Sequence, residues 1–107
     1  MFTAGAFRRP AGGGTIGVRD KASGEIFALA GLATGADVDG AVETARTAQQ
    51  AWSERTYAER AGLLRGVAAA LAGRADSFRE LIMRETGCIA GKADYEISAA
   101  ASELTAG

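Results

Sequence analysis

The stretch from Thr34 to Gly87, TGADVDGAVETARTAQQAWSERTYAERAGLLRGVAAALAGRADSFRELIMRETG, reads as three successive amphipathic helices. Thr34 is a good N-cap, the acid Asp37 stands three residues on, and Asp39 adds negative charge at the positive end of the helix dipole. Val38, Ala41, Val42, Ala45, Ala48 and Trp52 then recur at spacings of three and four, forming one apolar stripe, while Glu43, Arg46, Gln49 and Gln50 fall towards water. Thr56-Tyr57-Ala58-Glu59 has the spacing of a capping box and starts a second helix, whose inward face is Leu64, Val67, Ala68 and Leu71. Gly73 and Asp76 are stop and start signals, so a tight junction is expected at 73–76 and a third helix over Ser77 to Thr86. Phe78, Leu81 and Ile82 face inward there, and Gly87 supplies the residue past the helix end.

Many inward positions are alanine. At about 0.8 kcal/mol per buried methylene, such a block gains little from its own core and is expected to lie against something larger. Upstream, residues 1–14 are small, Gly-rich and irregular, with Arg8, Arg9 and Pro10 in their middle, and read as a flexible arm. Thr15 to Asp20 and Glu25 to Ala30 are β-prone runs around the turn-rich Lys21-Ala22-Ser23-Gly24, so residues 15–33 read as a β-hairpin. A lone two-stranded ribbon is barely stable in water and implies a partner. Downstream, Ile89 to Gly91 is a brief linker and Lys92 to Ala106 a fourth helix with Ile97, Ala100, Ala101 and Leu104 on one side. Gly107 is either its C-cap or a point where a longer chain was cut. The expected class is α+β, mostly α: an N-terminal hairpin, then about four helices over 34–107.

Composition closes several functional classes. The 107 residues hold 12 basic and 13 acidic side chains of alternating sign, a net charge of -1, so there is no basic stripe for nucleic acid or an acidic membrane surface. No run of about 18 apolar residues spans a bilayer, and the N-terminus lacks the apolar core of a signal peptide. The single cysteine, Cys88, cannot form an internal disulfide, so the expected location is cytoplasmic. The chain has no histidine, which removes the commonest general base and metal ligand.

The remaining motifs are weighed against plainer readings. Gly12-Gly13-Gly14-Thr15-Ile16-Gly17 spells GxGxxG, but pyrophosphate binding needs a preceding strand and a following helix, and the sequence offers neither. Cys88 lacks a histidine partner and reads as a small semi-buried thiol. Glu80, Glu85, Glu96 and Glu103, interleaved with Arg79 and Arg84, read as a solvated face, not an acid–base pair. Trp52 and Tyr95 read as apolar-stripe residues. No residue is assigned to catalysis, to a cofactor or to a metal.

Over roughly Val18 to Gly107 the sequence resembles the N-terminal segment of the aldehyde dehydrogenase superfamily. DKASGEIFA is similar to the family's strand-turn-strand with its TGE phrase, and ADVDGAVETARTAQQAW to its "DV..AV..A..A...W" helix. ERTYAERAGLLRGVAAAL is similar to the "R...L...A..L" helix, RETG to the "ETGK" helix end and YEISAAASELTAG to the helix that follows. Lys21 departs from a frequent turn proline, and Cys88 from the lysine after "ETG". The last phrase is nearest the branch acting on aromatic aldehydes such as benzaldehyde or vanillin.

The resemblance implies part of a larger α/β enzyme that oxidises an aldehyde to a carboxylic acid with NAD or NADP. In that family a cysteine thiolate attacks the aldehyde, hydride passes to the nicotinamide, and a glutamate-activated water releases the acid, with an asparagine helping to bind the oxyanion. None of these residues, nor the family's cofactor lysine, has a counterpart in this segment. Cys88 matches a helix end, not the nucleophile loop. The chain alone is therefore expected to be inactive and to bind no cofactor, its partners being the rest of the dehydrogenase chain and further copies in a homo-oligomer. The rival reading is a free-standing helical module for dimerisation or interaction.

Overall fold

The computed structural model describes residues 2–106. The chain runs β1 (Phe2–Thr3), β2 (Ala6–Phe7), β3 (Thr15–Arg19), β4 (Ile26–Gly31), α1 (Gly35–Ser53), α2 (Tyr57–Ala72), α3 (Ala75–Thr86) and α4 (Ala90–Glu103). Its residues divide into two units. One takes the chain up to Val18 together with Ile26–Arg55, and the other takes Arg19–Glu25 and the chain from Thr56 onward.

In the first unit, β1 and β2 pair antiparallel, Phe2 opposite Phe7, and the two rings meet edge to face with centroids 5.1 Å apart. Ala4 and Gly5 between them have φ of 51° and 74°, the paired left-handed conformations that a two-residue hairpin turn requires. A short ribbon thus stands inside a segment whose composition read as irregular. β3 and β4 form a second two-stranded sheet, closed at one end where the Leu32 amide donates to the Gly14 carbonyl 2.9 Å away. Space favours glycine at Gly17 and Gly31: a Cβ at the first would lie 2.7 Å from Ile26 Cδ1, so that side chain would have to shift, and at the second 2.7 Å from the rigid ring of Pro10, which is buried.

α1 begins as its sequence demands. The Thr34 hydroxyl accepts from the Asp37 amide at 3.2 Å, and the Asp37 carboxylate accepts from the Thr34 amide at 2.8 Å. Asp37 also accepts from the Ala11 amide at 2.9 Å, so the cap fastens the preceding segment to the helix. The Ala11 amide first, then the Thr34 amide and the Thr34 hydroxyl, which donates to the carboxylate at 2.8 Å, hold the Asp37 carboxyl below the usual carboxylate range. The expected inward stripe is not buried here: Val38 and Val42 are each 53% exposed, and only Ala41 and Trp52 are half-buried. The helical period was right, but the described residues of this unit leave Val38 and Val42 exposed.

The second unit holds the core. α4 packs against both α2 and α3, and Ala68, Ala93 and Ile97 are its buried residues. α2 opens on a complete capping box, with the Glu59 carboxylate accepting from the Thr56 amide at 2.8 Å and the Glu59 amide donating to the Thr56 hydroxyl at 3.3 Å. The expected start of α3 at Ser77 is corrected to Ala75. Asp76 lies inside the helix, with Arg74 at the N-cap making no side-chain bond, because the chain turns directly from Gly73 into the next helix. Asp76 instead takes Arg79 Nη1 at 2.7 Å. α4 likewise starts at Ala90, two residues before Lys92, and ends at Leu104 as its C-cap. The expected Gly107 cap lies outside the described residues. Of the residues expected to face inward, Leu64, Val67, Phe78 and Leu81 are exposed, whereas Ala68 and Ile97 are buried.

Candidate functional site

The most constructed polar feature lies within the second unit, where the turn after β3 meets the end of α3. The Asp20 carboxylate accepts from the Ala22 amide at 2.9 Å and the Ser23 amide at 3.3 Å, folding the turn about its own side chain. Its other oxygen accepts from Arg84 Nε at 3.0 Å. The Lys21 amide donates to the Arg84 carbonyl at 2.8 Å, so the turn is held to α3 by backbone and side chain together. Asp20 is brought well below the usual carboxylate range, first by the Ala22 and Ser23 amides and then by Arg84. Gly87 ends α3 with φ of 75°, a conformation that favours glycine, and a Cβ there would press on Lys21 Cβ at 3.1 Å.

Cys88 follows immediately. With Asp20, Ala22, Met83, Arg84 and Gly87 it lines a shallow groove of about 220 Å³. Its amide donates to the Thr86 hydroxyl at 3.2 Å. The nearest amine in sequence is Lys92, whose ammonium is bonded by Glu96 and held above its ordinary range by that carboxylate. A lysine fixed as a cation does not take a proton from a thiol. The groove therefore holds the Cys88 thiol beside the Asp20–Arg84 ion pair that anchors the turn to α3.

The other sequence candidates are not brought together into a site. The GxGxxG run leads straight into β3, so no helix N-terminus is aimed at a phosphate. Its glycines are accounted for by packing and turn geometry: a Cβ at Gly12 would lie 2.7 Å from Thr34 Cγ2, Gly13 has φ of 65°, and Gly17 lies against Ile26. These residues do not fit a dinucleotide cradle. Glu80 pairs with Arg84 at 3.8 Å and Glu96 with Lys92, each one turn along its own helix, as a solvated charged face would. Trp52 is half-buried on α1, and Tyr95 is exposed on α4. Among the described residues no three histidine, cysteine, aspartate or glutamate side chains converge on a metal position. Among the described residues no helix is long and apolar enough to cross a membrane.

Among the contacts that escaped the sequence reading are two ion pairs between distant residues. Arg79 Nε meets Asp94 at 2.5 Å and joins α3 to α4, and Arg84 meets Asp20 across 64 residues. Periodicity carries no signal for such pairs. An aspartate opening a turn, with backbone amides to satisfy, was the one legible hint.

The aldehyde dehydrogenase family, as a sequence model, matches residues 7–106. The NAD-dependent benzaldehyde dehydrogenase of Pseudomonas putida is 36% identical over 92 residues, covering 86% of this chain and 19% of that protein. A vanillin dehydrogenase from an Amycolatopsis species is 35% identical over 103 residues, covering 96% of this chain and 21% of its own length. The crystal structure of an NAD-dependent benzaldehyde dehydrogenase from Corynebacterium glutamicum superposes with a TM-score of 0.90 at 25% identity, over 95% of this chain and 22% of that one. The chain spans about a fifth of the length of the curated relatives it matches.

Proposed function

This chain belongs to the aldehyde dehydrogenase family, and from that premise we propose that it serves as the N-terminal part of an NAD(P)-dependent enzyme oxidising aromatic aldehydes to carboxylic acids. The observation that carries this reading is the apolar surface each unit leaves uncovered. Phe7, Ile16, Leu29, Val38 and Val42 are exposed in the first unit, and Leu63, Val67, Leu81 and Ile89 in the second, against a buried hydrophobic core of Ala68, Ala93 and Ile97. Apolar faces on that scale mark surfaces that another body of protein covers. The aromatic substrate class is supported by the benzaldehyde and vanillin dehydrogenases among the relatives.

In this role the segment is scaffold. Its helices form one side of the domain that holds the cofactor, and the turn at Asp20 is fastened to α3 through Arg84. The GxGxxG glycines do not fit the dinucleotide, so no step of the reaction is routed through them, and nucleophile, base and oxyanion donors belong to other parts of the enzyme. We place the enzyme in the cytoplasm as a homo-oligomer, a reading supported by the lone cysteine and by a ribbon with unpaired edges.

The test is aldehyde-dependent formation of reduced nicotinamide, followed by absorbance, for the 107-residue chain and for the intact polypeptide made from the native gene. The intact polypeptide is expected to turn over benzaldehyde or vanillin with NAD or NADP, and the 107-residue chain to show none. Turnover by the short chain overturns the scaffold reading. A native product of 10.9 kDa without activity replaces the enzyme reading with a free-standing interaction module.

A further inference from the structure

We draw no further inference here: the strongest candidate, the groove between the start of α2 and the end of α4 lined by Tyr57, Arg60, Leu64, Arg65, Glu103 and Leu104, carries nothing because nothing in the structure shows what covers it.

Discussion

Replacing Ile97 with alanine should unfold the second unit far more readily than the same change at Ile89. Ile97 is 7% exposed on α4, the helix that packs on both α2 and α3, and it is the one large side chain among the buried hydrophobic residues. The change removes three carbons, worth about 0.8 kcal/mol each and about 2.4 kcal/mol together. The cavity left behind raises the cost to about 3 kcal/mol. An ordinary domain has about 0.05–0.15 kcal/mol of stability per residue, or about 5–16 kcal/mol for a chain of this length. With Ala68, Ala93 and Ile97 as the buried hydrophobic residues among those described, the low end of that range is expected, and the substitution should remove most of the margin. Ile89 is 78% exposed, so Ile89→Ala should change stability by less than about 0.5 kcal/mol. Urea titration followed by far-ultraviolet circular dichroism on the 107-residue chain compares the two variants. Equal midpoints for Ile97→Ala and Ile89→Ala would refute the assignment of the core to α4.

Further predictions rest on single contacts. Thr56→Ala removes the α2 cap and should cost about 1 kcal/mol, read as a lower urea midpoint, with Thr56→Ser largely preserving it. Gly87→Ala forces a side chain into the left-handed region, at about 1–2 kcal/mol, and presses on Lys21; thermal melting should show a lower Tm, and an unchanged Tm would mean that the turn does not rest on α3. Asp20 and Asp37 have folded-state pKa values below their unfolded ones, so the unfolded chain binds more protons at acid pH. Their stabilisation is complete above the unfolded carboxylate range and is lost as pH falls through the depressed folded values. Acid titration of Asp20→Asn by circular dichroism should therefore show a shallower loss of stability below about pH 4. A profile as steep as wild type would exclude Asp20 as a contributor.

Helix starts were legible where the sequence carries its own solution to an unpaired amide. Thr34 with Asp37, and Thr56 with Glu59, need only four residues to form a capping box, and both formed. Gly87 was legible for the same local reason, since only a left-handed residue ends α3 there. Arg74 and Ile89 begin their helices without a side-chain cap, so Asp76 and Lys92 drew the expected starts too late. The stripe through Val38 and Val42 was correct as a period, but a period does not say whether the face is covered, and both residues are exposed. For the site, the absence of histidine and the placement of Cys88 after a helix end were readable. The union of Asp20 with Arg84 was not, because it is a tertiary event.

That union also constrains the order of events during synthesis. Closing a loop of 64 residues costs about (3/2)RT ln 64, roughly 3.7 kcal/mol of chain entropy, before any contact repays it. α1 and α2, capped by their own neighbours, can wind as they leave the ribosome, whereas the turn at Asp20 has nowhere to dock until Arg84 has emerged. The turn is thus among the first parts of the chain made and among the last fixed, and its Asp20 carboxylate waits for its guanidinium partner for as long as those intervening residues take to be translated.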